Sequence, residues 1–164
     1  MKNTLRRGFT LIELLVVIAI IGILSAVVLA SLNTARTKGN DAGVKANLDS
    51  VKTQAALFQN DNSGSYGTFD NGAGAPATCP TPGTANTSLF GNSTVENAVA
   101  GALADSAGGA TFCMANGTAY AVEVSRPGTN PASTYWCVDS TGVSCGINST
   151  SLTGAACGTC TTTQ

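Results

Sequence analysis

Apolar residues are arranged in two different ways along this chain. From Phe9 to Leu32 they run almost unbroken, 24 residues in which Glu13 is the only charge. A helix of that length measures about 36 Å, enough to cross a hydrocarbon layer of about 30 Å. Soluble helices are rarely apolar on every side for so long. Beyond Leu32 the pattern becomes periodic. Val44, Leu48, Val51, Ala55 and Phe58 recur at spacings of 4, 3, 4 and 3, which is one face of a helix, and Lys45, Asn47, Asp49 and Lys52 occupy the other side. One helix is therefore predicted from the apolar run to about Asn60, with Gly39 and Gly43 as its weak points. Its second half is suited to laying an apolar stripe against a folded head.

The rest of the chain reads as that head. Residues 67–93 are rich in Gly, Ala, Pro, Thr and Asn and predict an irregular surface loop. Ser93-Thr94-Val95-Glu96 has the spacing of a capping box, and Val95, Ala98, Val99, Ala102 and Leu103 predict a short helix stopped by Gly108-Gly109. Thr111 to Ala115, the dipeptide Asn116-Gly117 and Thr118 to Ser125 predict a hairpin with a two-residue turn. A third strand is expected over Thr134 to Asp139, turning through Ser140-Thr141-Gly142 into Val143 to Ile147. The expected class is α+β, a long N-terminal helix packed on a small antiparallel sheet.

Composition narrows the chemistry. The 164 residues hold 8 Lys and Arg against 9 Asp and Glu and no His, a net charge of −1. Without His, no Ser-His-Asp relay, Cys-His pair or His-ligated metal can be built. No catalytic residue, metal site or cofactor is assigned. Beyond Asp61, Arg126 is the sole cation against Asp70, Glu96, Asp105, Glu123 and Asp139, so no nucleic-acid partner is expected for the head. Asp61-x-Ser63-x-Ser65 lacks the Gly and distal Glu of a calcium loop. Asn86, Asn92, Asn116 and Asn148 open N-x-S/T sequons.

The six cysteines, Cys79, Cys113, Cys137, Cys145, Cys157 and Cys160, all follow the apolar run, which fits an oxidising exterior. They allow 15 pairings. A three-residue turn at Ser140 to Gly142 puts Cys137 directly opposite Cys145, whereas Cys113 and Cys137, on strands separated by another, would lie about 9 to 10 Å apart. The pairing expected is Cys137 with Cys145, Cys157 with Cys160 and Cys79 with Cys113. Cys157-Gly158-Thr159-Cys160 also has the spacing of a redox pair or half a zinc site, but no second C-x-x-C and no preceding βαβ unit accompany it.

Three explanations compete for a basic head, with Lys2, Arg6 and Arg7, followed by an apolar run: a cleaved secretory signal, a plain anchor, or a segment that first sits in membrane and later packs on copies of itself. The run exceeds the roughly 7 to 15 apolar residues of a signal peptide, although Val28-Leu29-Ala30 resembles a weak cleavage site. A plain anchor has no use for Glu13, since a carboxylate at the centre of a span costs on the order of 2.5 to 3.5 kcal/mol, and less near the interface. Near a helix N-terminus the dipole offsets part of that cost. The charges near both ends of the run do not settle its orientation: Arg36, Lys38, Lys45 and Lys52 follow it.

Arg6-Arg7-Gly8-Phe9-Thr10-Leu11-Ile12-Glu13-Leu14 closely resembles the leader and cleavage motif of type IV prepilins and type II secretion pseudopilins, a likeness that extends through Gly22 and the apolar run. The resemblance implies that a prepilin peptidase cuts between Gly8 and Phe9 and that the new amine of Phe9 is methylated. It implies residues 1–8 as leader, 9–32 as membrane-spanning and assembly helix, 33–60 as its amphipathic continuation and 61–164 as a β-rich head. Ala55 to Gly67 looks like the helix-exit segment of such proteins, an aromatic followed by Asp or Asn, Gly and Tyr66. Two departures stand out: Ala30 occupies a place where many members carry Pro, and Gly67 one where Pro usually follows the Tyr.

Function is expected accordingly. The chain resembles a structural subunit that sits as a single pass in the bacterial inner membrane, is handled by inner-membrane assembly machinery and forms a helical homo-oligomeric filament outside the cell. Loss of residues 1–8 would create an α-amino cation one helical turn from Glu13, and the amine of one copy can meet the carboxylate of a shifted neighbour. The alternative is a pseudopilin of a type II secretion system, for which a calcium loop would be the discriminating feature. A tethered enzyme or binding module finds no nucleophile–base pair or phosphate loop.

Overall fold

The computed structural model describes residues 8–106, 108–128, 134–148, 152, 154–160 and 162–163. The chain divides into two units, Met1–Arg36 and Thr37–Gln164. The expected leader residues 1–7 and part of the loop expected over 126–132 lie outside the described residues.

Helix α1 runs without a break from Leu11 to Asp61. In the first unit its apolar side chains are all exposed, from Leu11 to Leu32. In the second unit it is amphipathic, and Val44, Leu48, Val51 and Ala55 are buried as the 4-3-4 spacing requires. Gly43 does not break it. The residue sits against α2 (Ser93–Asp105), where an added Cβ would collide with the Asp105 carboxylate, and one turn on Asn47 Nδ2 donates to Asp105 Oδ2 at 3.1 Å. The helix ends where Asn62 and Gly64 fold back: Asn62 Nδ2 donates to Phe58 O at 2.8 Å and the Gly64 amide to Gln59 O at 2.8 Å. Tyr66 then tucks into the core, its ring 4.9 Å from that of Tyr120 in an edge-on arrangement. Burial raises the pKa of both phenols, most strongly that of Tyr120. Gly67 follows with φ of 70°, a left-handed backbone closed to Pro, and a Cβ there would press on Ser88. That accounts for the missing proline.

The sheet is antiparallel throughout, in the order β1 (Thr68–Phe69), β3 (Thr111–Asn116), β4 (Tyr120–Ser125), β5 (Tyr135–Asp139), β6 (Ser144–Ile147) and β7 (Thr162–Thr163), with β2 (Ala77–Thr78) also on β3. The expected meander is its centre. Three details differ from expectation. The hairpin turn is shifted by one residue, since Ala115 pairs with Tyr120 and the Asn116 amide donates to Ala119 O, leaving Gly117-Thr118 at the tip. Asn116 becomes the last strand residue because its Oδ1 accepts from the Ala119 amide and the Thr118 hydroxyl. The stretch 67–93 is not wholly irregular: it supplies β1, β2 and a single 3-10 turn at Leu89–Gly91 that buries Leu89 and Phe90. The helix α2 is capped by Asn92, whose Oδ1 accepts from the Thr94 and Val95 amides, not by Ser93. Glu96 reaches away instead, and its Oε2 accepts from the Gly83 amide at 2.8 Å, tying the loop to the helix.

Both faces of the sheet are covered. On one, Tyr120, Val122, Val124, Trp136 and Val138 pack with the buried stripe of α1 and with Val95, Val99 and Ala102 of α2. On the other, Met114, Ala121, Cys137, Cys145 and Ile147 lie under Leu152 and Ala155 of the C-terminal segment. Strand alternation sends neighbouring residues to opposite sides, which is why β4 is buried at five consecutive positions. Glu123 goes to the second face and is 1% exposed.

The disulfides correct the expected pairing. Cys79 is bonded to Cys113, but Cys137 is bonded to Cys157 and Cys145 to Cys160. Cys137 and Cys145 are nevertheless direct cross-strand partners, as the three-residue turn predicts. Their side chains rise side by side from one face, and the segment laid over that face brings a cysteine to each. The C-x-x-C spacing is thus used to staple one segment to two adjacent strands rather than to close on itself. Asp139 adds to the attachment, its Oδ2 accepting from the Cys157 amide at 3.0 Å.

Candidate assembly site in the N-terminal segment

The expected processing and assembly residues sit where α1 begins. Gly8 and Phe9 precede the helix, and Phe9 is 85% exposed. Thr10 and Glu13 clasp each other across the first turn. Thr10 Oγ1 accepts from the Glu13 amide at 3.3 Å, and Glu13 Oε2 accepts from the Thr10 amide at 2.8 Å and the Thr10 hydroxyl at 2.7 Å. This is a reciprocal capping box: the carboxylate satisfies an amide left over at the helix start while standing in its positive end. Thr10-Leu11-Ile12-Glu13 has the same S/T-x-x-E spacing as Ser93 to Glu96, a signal legible in the sequence but masked by its place inside an apolar run. Chemically, the arrangement holds the one acid of that run at the helix edge, on the amide and hydroxyl of Thr10.

The helix that follows is the one helix among the described residues long and apolar enough to cross a membrane. Two hydroxyls at the end of its apolar run bond to the helix itself. Ser31 Oγ donates to Val27 O and Thr34 Oγ1 to Ala30 O, each closing on a carbonyl one turn back. Gly22 and Ala30 both lie within unbroken helix.

A second cluster was not foreseen and binds α1 to the sheet within the Thr37–Gln164 unit. Arg126 holds Asp41 with two bonds, Nε to Oδ1 at 2.5 Å and Nη2 to Oδ2 at 2.7 Å, and Lys45 Nζ lies 3.2 Å from Oδ2. Lys45 Nζ and the Arg126 guanidinium lie over the Trp136 ring, 4.5 and 5.6 Å from its centroid. Burial alone would raise the Asp41 carboxyl, but the hydrogen bonds and charges of Arg126 and Lys45 outweigh it and hold the group below its ordinary value. Nothing in the sequence links positions 85 residues apart; a lone cation in an acidic head was the only hint.

Among the described residues no group of three or more acidic or cysteine side chains is placed to hold a metal. All six cysteines are bonded in pairs. Three of the sequons are occupied structurally: Asn92 caps α2, Asn116 Oδ1 accepts from the Ala119 amide and the Thr118 hydroxyl, and Asn86 Oδ1 accepts from the Ser88 amide and hydroxyl while its Nδ2 is buried.

Residues 3–29 match the prokaryotic N-terminal methylation motif. Over 63 residues the chain is 54% identical to the type IV wide pilus major component PilA4 of Thermus thermophilus, an alignment covering 38% of this chain and 46% of that protein. Over 81 residues it is 35% identical to the type II secretion system core protein G of Dickeya chrysanthemi, covering 47% and 52% respectively. The chain spans about half the length of each of these relatives. No solved structure matches it. The methylation motif at its start, the long apolar helix behind it and the small antiparallel sheet packed on the helix's second half support a type IV prepilin-like protein, with the sequence similarity covering less than half of the chain.

Proposed function

We propose that this chain is the structural subunit of a type IV pilus filament. A prepilin peptidase removes residues 1–8, the amine of Phe9 is methylated, and the subunit waits as a single pass in the bacterial inner membrane until assembly machinery moves it into a helical homo-oligomer outside the cell. The observation that carries the reading is the start of the chain, where the methylation motif matches and the one acid of a membrane-length apolar helix is held by Thr10 at the helix's first turn. On assembly the new amine of one copy replaces the Thr10 donors around Glu13 of a neighbour, neutralising two charges that would each be costly alone in an apolar core. The exposed apolar faces then bury one another, giving the bulk of the adhesion. The role is mechanical, and no catalytic group is assigned to it.

The second reading, a pseudopilin of a type II secretion system, is supported by the 35% identity to the secretion protein. The higher identity to the wide pilus component favours the first. Electron microscopy of filaments sheared from the cell surface, with the N-terminal mass of their subunit, tests it. The reading expects long filaments built of this chain beginning at methylated Phe9. A chain that is absent from surface filaments, or that keeps residues 1–8 within them, contradicts it.

A further inference from the structure

The end of the apolar run carries two cations that the fold does not use. Five basic side chains lie among the described residues: Arg36, Lys38, Lys45, Lys52 and Arg126. Lys45 and Arg126 share Asp41, and Lys52 lies 3.5 Å from Asp49. Arg36 and Lys38 are exposed and form no ion pair among the described residues. No acid lies between Glu13, 23 residues before Arg36, and Asp41, which is already engaged.

Their position along α1 selects the partner. Arg36 and Lys38 stand about 6 and 9 Å beyond Leu32 along the helix axis. The interfacial layer that flanks a bilayer's hydrocarbon is on the order of 5 to 7 Å deep on each side. In a helix the Cα–Cβ bond tilts toward the N-terminus, here toward the apolar run, so both long side chains lean back into that layer. Ser31 and Thr34 are satisfied by their own helix carbonyls, which lowers the cost of the membrane edge rising toward the level of these cations. Two residues apart on a helix, the side chains point to different sides and meet different lipids.

We propose that Arg36 and Lys38 form a phosphate-binding collar that holds the unassembled subunit to anionic phospholipid at the face of the membrane next to its head. The proposal rests on the membrane reading of the apolar helix given above. Each cation is attracted to anionic lipid and released by salt. The collar adds a lipid-dependent step to assembly, because a subunit leaving the bilayer must give up those phosphates.

The test is lipid selectivity measured by electron spin resonance on the full-length protein in phosphatidylcholine vesicles, with a trace of spin-labelled phosphatidylglycerol or spin-labelled phosphatidylcholine. The fraction of each label slowed by contact with the protein is read. The collar predicts enrichment of phosphatidylglycerol that falls about fivefold for each cation removed in Arg36→Gln and Lys38→Gln, is retained in Arg36→Lys, and declines with added salt in the unaltered protein. Slowed lipid with the same selectivity in the unaltered and Arg36→Gln/Lys38→Gln proteins overturns the collar and leaves the membrane anchor standing. Unchanged selectivity with weakened self-association assigns the cations to contacts between copies and also overturns it. Absence of any slowed lipid removes the anchor, and the collar with it. Should the double variant fail to fold, selectivity of the unaltered protein that is indifferent to salt overturns the collar by itself.

Discussion

The two halves of α1 obey one backbone geometry under two different solvents. Before Arg36 the helix is apolar on all sides and none of its large side chains is buried within the chain. After Thr37 it is amphipathic, and the same residue types at every third or fourth position vanish into a core with α2 and the sheet. Leu24 and Leu48 illustrate the contrast, the first 59% exposed and the second not at all. In the second half the partners are inside the molecule and the sequence alternates to suit them. In the first half the sequence has no polar side to offer water, so its partners must be lipid or other chains. A continuous helix therefore need not be a single energetic unit.

The comparison is broken most severely by truncating those two leucines. Leu48→Ala removes a buried side chain and leaves a cavity, so it should cost the head about 2 to 5 kcal/mol, whereas Leu24→Ala should leave head stability unchanged. Urea unfolding in detergent, followed by the fluorescence of Trp136, separates the two. Equal losses would mean that the halves unfold as one.

Within the head, replacing Cys137 and Cys157 together by Ser should cost about 3 kcal/mol, from the denatured-state freedom regained across a 20-residue separation. Disulfide mapping by mass spectrometry of the unaltered protein should find Cys137–Cys157 and Cys145–Cys160, and the paired variant should still carry Cys145–Cys160. A smaller loss is expected at the start of α2, where Asn92→Ala should cost about 1 kcal/mol and Ser93→Ala only a few tenths. The reverse order, in the same unfolding assay, would restore Ser93 as the cap.

The smallest effect concerns pH. Because Asp41 titrates below its ordinary value in the folded head, its pairing stabilises fully above the unfolded carboxylate's pKa and is lost as pH falls through the lowered one. Asp41→Asn should therefore remove under about 1 kcal/mol near neutrality and flatten the acid limb of the stability curve. A variant with an unchanged acid limb would show that Arg126 and Lys45 do not act through this carboxylate.

Legibility followed the range of the interaction. The α1 stripe, the α2 face, the strands around Asn116 and the register that sets Cys137 opposite Cys145 are local or fixed by a short turn, and periodicity was enough to place them. The bonds from the last segment to Cys137 and Cys145, the Arg126–Asp41 pair and the small strands β1 and β2 depend on which distant piece covers which face. No period encodes that choice. Thr10 and Asn92 are a different case, since both were readable. The S/T-x-x-E pattern at Ser93 yields to a better capping side chain one position earlier, and the same pattern at Thr10 is masked by apolar neighbours.

Glu13 remains the residue on which the proposed assembly turns. Its replacement by Ala, scored by the yield of sheared surface filaments and the N-terminal mass of the subunit in the membrane fraction, tests the pairing with a neighbour's amine most directly. The account predicts a subunit that begins at Phe9, accumulates in the membrane and forms no ordered filaments. Filaments of normal yield and form from that variant would contradict it.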